Sequence, residues 1–321
     1  MRVDMGKVSH INTVGDLIDR GARRLARARL AFGHGTDNAR DEAAALVLHA
    51  AGLSAFTGPR LHTLRIGAAR AARARALIER RIAERVPSAY LTGRTWFAGL
   101  EMRVDSRVLI PRSPIAELIE RRFSPWIAGA RVRTVLDLGT GSGCIAIACA
   151  RAFPRARVDA ADISREALEV ARENVRRHRV GRRVRLVASD HFRRLARRRY
   201  DIIVSNPPYV SERELEALPP EYRHEPRHAL AAGRDGLESV RIILAGAARH
   251  LAAGGILVVE VGDAERAVRR AYADLPFTWL EFERGGGGVF LLTAEQLGGA
   301  RRAPKRPRRR MQRPRTRSAT R

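Results

Sequence analysis

The residues best placed to do chemistry in this sequence are Asn206, Pro207, Pro208 and Tyr209, which follow the apolar run Asp201 to Ser205. Two prolines hold the chain extended and push Asn206 out of helical conformation, so its side chain projects from a strand end. The Asn206 carboxamide oxygen and the Pro207 carbonyl can then each accept a hydrogen bond, and proline has no N–H to donate. Such an acceptor-only edge suits an incoming NH2 group. Asn206 and Pro207 are the catalytic candidates, with Pro208 and Tyr209 completing the acceptor-binding surface and Tyr209 packing on the acceptor's plane. A plain Pro-Pro turn is the alternative reading.

A second constellation lies upstream. Asp137, Gly139, Thr140, Gly141, Ser142 and Gly143 form DLGTGSG at the end of the apolar run Thr134 to Leu138, and CIAIACA follows at once. Spaced glycines let the backbone turn tightly, and a helix starting there offers free N–H groups and its positive dipole end. Strand, glycine loop and helix make a nucleotide-type cofactor site at the carboxyl edge of a doubly wound sheet. Asp162, which ends the next apolar run, can accept hydrogen bonds from both ribose hydroxyls. Dinucleotide sites use GxGxxG to hold a pyrophosphate, whereas this loop is GxGxG and follows the acidic Asp137. S-adenosyl-L-methionine has no phosphate, and its amino group and sulfonium are positive, so it suits an acidic loop better. With that cofactor, the turn at Asn206 would fix a planar nitrogen facing a methyl group, by positioning alone and with no side-chain nucleophile. A ligand-free turn, and Asp162 as a helix cap, are the plainer alternatives.

The elements that must position these residues fall into four segments. Residues 1–87 show helical apolar spacing in three stretches, near Val14 to Ala31, from the cap-type residues Thr36, Asp37 and Asn38 to Gly52, and from Ile66 to Arg85. Residues 88–112 carry LTGRTWF and LEMRVDSRVLI and read as a β-hairpin linker. In residues 113–298, strands are expected at Thr134 to Leu138, Arg157 to Ala161, Val184 to Val187, Asp201 to Ser205 and Ile256 to Val261, alternating with helices such as Ser164 to His178 and Leu237 to Ala253. That alternation predicts an α/β, Rossmann-like, mostly parallel sheet covered on both faces, and Thr278 to Glu283 with Val289 to Thr293 reads as a terminal antiparallel hairpin. Residues 299–321 hold Lys and Arg without acidic or core-forming residues and are expected to be a disordered tail.

DLGTGSG, ADIS (Ala161 to Ser164), SDHF (Ser189 to Phe192) and SNPPY, in that order, resemble the class I methyltransferases that modify planar amino or amide nitrogens. The helical domain, the hairpin and VLIPRSPIAELI (Val108 to Ile119) are similar to the HemK-like protein glutamine methyltransferases, over about residues 10 to 297. Release-factor members show RPDTE or RPETE where this chain has Arg112-Ser113-Pro114-Ile115-Ala116-Glu117. RSPIAEL, FGHGTDNARDEA (Phe32 to Ala43) and EYRHEPRHALAAGRDGLE (Glu221 to Glu238) instead resemble members that methylate a glutamine of large-subunit ribosomal protein L-three. The resemblance implies methylation of a glutamine side-chain nitrogen (N5) with S-adenosyl-L-methionine as cofactor. It carries the cofactor role to Gly139 through Gly143, Asp162 and Asn206, and the substrate role to Asn206 through Tyr209. Asp190 would meet the adenine amino group, and His191 stands where relatives place an apolar or aromatic residue beside the adenine.

Charge is a weaker guide. The chain has 61 Lys+Arg against 34 Asp+Glu, a net charge of +27, and 45% hydrophobic residues. Only Lys7 and Lys305 are lysines, so 61 − 2 leaves 59 arginines, a skew that points to coding bias as much as to a partner. The last 21 residues, from Arg301, hold 11 of the basic groups, leaving 27 − 11 = +16 for the rest. Ribosomal RNA contact through this tail is an expectation from its charge. No apolar run reaches the roughly 18 residues of a membrane span, and Met1 to Arg20 lacks a signal-type apolar region, so a soluble, cytoplasmic protein is expected. Cys144 and Cys149 have neither disulfide nor zinc spacing, so no metal is expected. The competing functions are a release-factor glutamine methyltransferase, a nucleic-acid adenine methyltransferase and a non-catalytic RNA-binding protein.

Overall fold

The computed structural model describes residues 12–54, 58, 60–195 and 198–302. The chain beyond Arg302, where most of the expected tail falls, lies outside the described residues.

The first unit is helical. Helix α1 (Val14–Arg27) opens with a reciprocal capping box between Thr13 and Asp16, and α2 (Ala39–Ala51) is capped by the Asn38 side chain and closed by Gly52 at φ +69°. With α3 (Ala68–Glu84) they enclose Val14, Leu17, Ile18, Leu46, Val47 and Ile78. Gly21 permits this packing, because a Cβ there would lie 2.6 Å from Ile78 Cδ1. Two short strands, β1 (Asn12–Thr13) and β2 (Arg65–Ile66), pair across the unit. Helix α1 ends short of the expected Ala31, since Arg29 adopts φ +49° and turns the chain away.

The linker contains a helical turn as well as the expected hairpin. Helix α4 (Ser88–Thr92) precedes β3 (Arg94–Phe97) and β4 (Leu100–Arg103), which pair antiparallel. Helix α5 (Ile115–Glu120) then leads into the larger unit.

There, β5 (Thr134–Leu138), α6 (Cys144–Ala152), β6 (Arg157–Asp162), α7 (Arg165–Arg177), β7 (Val184–Ala188) and β8 (Tyr200–Ser205) are followed by α8 (Glu212–Ala217), α9 (Glu238–His250), β9 (Leu251–Glu260), α10 (Glu265–Ala271), β10 (Thr278–Leu280), β11 (Val289–Thr293) and α11 (Ala294–Arg302). The sheet order is β10-β11-β9-β8-β5-β6-β7. Strands β9, β8, β5, β6 and β7 are parallel, while β11 runs antiparallel to both β9 and β10. This is the expected α/β fold with a terminal antiparallel hairpin.

Alternation divides the core between the two faces. Val135, Ile202, Val204, Ile256 and Val258 pack with α6 on one side. Leu136, Ile203, Leu257 and Val259 pack with Val240, Ile243 and Leu244 of α9 on the other. Four boundaries differ from expectation. Helix α9 ends at His250, short of the expected Ala253. Strand β9 starts five residues earlier than Ile256, at Leu251 directly after α9; β10 stops at Leu280; and α11 carries helix to Arg302, into the segment expected as tail. Strand order reverses between β5 and β8, so the loops leaving their carboxyl ends meet in one crevice.

Candidate active site

Strand β5 delivers both the loop and its support. Asp137 faces α6, as Val135 does, and is fully buried; its Oδ2 accepts hydrogen bonds from the Thr140 hydroxyl at 2.5 Å and the Ala146 N–H at 3.1 Å. Burial pushes this carboxyl up to about 7. Asp137 therefore braces the loop from behind instead of facing the cavity, because strand alternation turns only its neighbour Leu138 into it. The Gly139 and Thr140 N–H groups both donate to the Ala161 carbonyl, pinning the loop to β6. Gly139, Gly141 and Gly143 sit at φ +69°, +52° and +80°, where L side chains are strained. At Gly143 space is also short, since a Cβ would meet Ala171 of α7 at 3.2 Å.

Asp162 ends β6 with its carboxylate held by two backbone amides. Gly141 N–H donates to Oδ2 at 2.8 Å and Ser164 N–H to Oδ1 at 2.9 Å. Burial raises its pKa against these bonds. Each carboxylate oxygen has room for a second donor, so the group can still receive hydroxyls.

The Asn206 turn leaves β8 directly opposite. Ser205 is buried and donates its hydroxyl to the Leu138 carbonyl at 2.7 Å, locking the two strand ends together. A Cβ on Gly139 would lie 3.8 Å from the Asn206 carbonyl, so loop and turn are in contact. Among the described residues no hydrogen bond engages the Asn206 carboxamide. Gly139, Gly141, Asp162, Asn206, Pro207 and Pro208 line one cavity of about 410 Å³, within the range that holds small ligands. Asp190 and His191 line it too. The His191 ring Nδ1 lies 2.7 Å from Asp190 Oδ1, and that bond, with help from Arg193, lowers the Asp190 pKa.

Five expected site residues do not line this cavity. Asp137, Thr140, Ser142 and Gly143 shape the loop from within or behind it. Tyr209 points elsewhere: its hydroxyl donates to Glu260 at 3.3 Å, and its ring borders a second cavity with Arg112, Gly262 and the Gly286 to Gly288 turn.

Residues 123–219 match the Methyltransferase small domain family. Over 287 residues the chain is 50% identical to the ribosomal protein uL3 glutamine methyltransferase of Xylella fastidiosa, covering 89% of this chain and 92% of that protein. Proteins of the same name from Xanthomonas campestris pv. campestris and Bordetella pertussis are 48% and 46% identical; each match covers 89% of this chain, and 93% and 97% of the relatives. The chain belongs to the ribosomal protein uL3 glutamine methyltransferase family. It is thus a methyltransferase, and the family expected from the motif order is borne out.

Within this uL3 glutamine methyltransferase family member, Glu221 to Glu238 does work that the sequence alone did not reveal. Glu221 accepts bonds from the Ala31 N–H at 3.0 Å and from Arg85 at 2.8 Å, and lies 3.4 Å from the fully buried Arg81, which also binds Glu42. Glu225 receives the Ile110 N–H at 3.1 Å and both Arg112 amines at 2.5 and 2.7 Å. The segment therefore ties the helical unit and the linker to the catalytic unit. His34 packs edge-on against Tyr222, and burial lowers its pKa to about 4, so it stays neutral beside Glu225. Further along, His228, Ala229, Ala231, Glu238 and Ser239 line the main cavity. So does Ile163, an apolar residue 66% exposed directly after Asp162. Asn174 was also missed. It is buried in α7 and bridges the Ser142 carbonyl and the Arg103 backbone, joining the glycine loop to the hairpin. A lone Asn in an amphipathic helix carries no such signal.

Among the described residues no helix is long and apolar enough to cross a membrane, and no His, Cys, Asp or Glu cluster could hold a metal ion. Cys144 and Cys149 are buried.

Proposed function

We propose that this protein transfers a methyl group from S-adenosyl-L-methionine to the side-chain nitrogen (N5) of a glutamine in ribosomal protein uL3, the L-three of the large subunit. The observation that carries this reading is the Asn206 carboxamide, unengaged among the described residues, in the same cavity as Gly139, Gly141 and Asp162. The cofactor fits these residues: Asp162 keeps lone pairs for two ribose hydroxyls, and the positive-φ glycines leave backbone close to the ligand. When bound, it supplies an electrophilic methyl on a sulfonium.

The chain's own part is positioning. The Asn206 carboxamide oxygen and the Pro207 carbonyl accept hydrogen bonds from the two amide hydrogens of the glutamine and aim its nitrogen at the methyl; the nitrogen would take the methyl as the carbon–sulfur bond breaks, leaving S-adenosylhomocysteine and releasing one N–H proton to solvent. Asp190 and His191 serve the adenine end, and Pro208 with Tyr209 supports the acceptor side. The names of relatives at 46% to 50% identity support uL3 as the substrate, and a ribosomal-protein substrate puts the reaction in the cytoplasm. The basic tail adds salt-sensitive, sequence-independent affinity for ribosomal RNA, since neutralising phosphates releases counterions; an RNA affinity and salt slope unchanged on deleting 303–321 would contradict that part.

The test is tandem mass spectrometry of uL3 from a strain lacking the activity, after incubation with the pure enzyme and cofactor. A single methylated glutamine is expected, and unmodified uL3 would overturn the reading.

A further inference from the structure

Glu260 closes β9 beside the acceptor turn, and the transfer as described makes no use of it. Strands β8 and β9 run parallel with Ser205 level with Val259, so Glu260 stands at the height of Asn206 on the carboxyl edge. It is 5% exposed. Its Oε2 accepts the Ser113 hydroxyl, and its Oε1 accepts the Tyr209 hydroxyl at 3.3 Å. Ser113 Oγ already accepts the Ile115 N–H at 3.2 Å, which leaves its own proton free for Glu260. Burial pushes the carboxyl up to about 7, opposed by these two bonds and by the nearby Arg112.

The ring that Glu260 holds has little room to move. A Cβ on Gly262 would fall 2.7 Å from Tyr209 Cε2, and one on Gly236 would fall 2.5 Å from the Tyr209 carbonyl oxygen. Gly262 is itself backed by Gly288, where a Cβ would lie 2.2 Å from the Gly262 carbonyl oxygen. Backbone packing thus confines the ring and the main chain of the turn, and among the described residues Glu260 supplies the polar tether on the Tyr209 side chain.

We infer that Glu260 is a positioning residue for methyl transfer: through the Tyr209 hydroxyl, with Ser113 as its second anchor, it fixes the turn whose Asn206 and Pro207 oxygens orient the acceptor amide. This rests on the acceptor role given to that turn above. Ser113 comes from the exit of the linker, so Glu260 also couples the linker to the turn.

The experiment compares wild type, Glu260→Gln, Tyr209→Phe and the double variant for kcat, KM for uL3, affinity for S-adenosylhomocysteine and Tm. Glu260→Gln is expected to lower kcat on the order of tenfold, below the roughly hundredfold that a 1 Å misplacement costs, with KM and cofactor-product affinity within about twofold. Because both residues act through one bond, the double variant should be no slower than the slower single one. Full kcat in Glu260→Gln with only Tm lowered, or losses that multiply in the double variant, would overturn the inference. If Glu260→Gln does not fold, Ser113→Ala and Tyr209→Phe give the same readout: a shared, non-multiplying loss supports the tether and independent losses refute it. Wild type inactive on uL3 would overturn the substrate reading instead, and is seen in the same assay.

Discussion

At the end of the cavity proposed for the cofactor, Asp162 reaches the Gly141 amide across 21 positions of sequence, and both partners lie on adjacent strand ends. At the end proposed for the acceptor, the Asn206 turn leans on Glu260, which meets Ser113 across 147 positions, while Arg112 meets Glu225 across 113. The first end is made of backbone groups and glycine conformations set by a local strand-loop-helix unit. The second is made of buried and half-buried side chains from the linker and its exit, the Glu221 to Glu238 segment and the end of β9. A local, backbone-built site should bind its ligand whatever happens to distant side chains, whereas the acceptor end should fail when any of its remote supports is removed.

Four substitutions sharpen or break that contrast, the first three in falling order of expected effect. Glu225→Ala leaves Arg112 without its buried partner and should cost about 3–5 kcal/mol of stability, read by chemical denaturation; a loss under about 1 kcal/mol would show that the linker is held by other means. Next, Asn206→Ala should lower kcat on the order of 10²–10³-fold, as removal of one preorganised hydrogen-bonding group does, with S-adenosylhomocysteine affinity within about twofold. An equal loss of cofactor affinity would erase the distinction between the two ends. Asp162→Asn should do the reverse, weakening cofactor binding about tenfold or more while kcat at saturating cofactor changes little, measured by calorimetry and steady-state kinetics.

The fourth substitution concerns Asp137, and its effect is read against pH. Its folded pKa of about 7 lies above the ordinary 3.8, so the folded protein holds a proton that the unfolded chain gives up. The stability this provides is present at low pH and is lost as pH rises through the folded value. The Tm of wild type relative to Asp137→Asn should therefore fall as pH is raised from about 4 to about 7. A Tm difference that stays constant across that window would mean that Asp137 is ionised within the fold.

The same contrast governs what the sequence made legible. Apolar runs at Thr134 to Leu138 and Asp201 to Ser205 predict β5 and most of β8, and the glycines and Asp162 predict the loop geometry, because each depends on neighbours close in sequence. Asn206 and Pro207 were legible for the same reason. Asp137 was read as part of the loop's acidic face, and only the alternation of β5 shows it turned toward α6. Tyr209 was read against the acceptor plane, yet its hydroxyl goes to Glu260, whose partners lie far away in sequence. Glu221, Glu225 and Asn174 belong to the same class. Each is an ordinary polar residue until folding brings a distant arginine, amide or carbonyl to it.

The central claim is that a planar amide, on uL3, is what Asn206 and Pro207 hold. It is tested most directly by offering the enzyme labelled S-adenosyl-L-methionine together with unmethylated uL3, a peptide release factor and DNA in one competition. The account predicts label in uL3, at a glutamine side chain, lost in Asn206→Ala. Label in DNA or in the release factor with none in uL3 would contradict it.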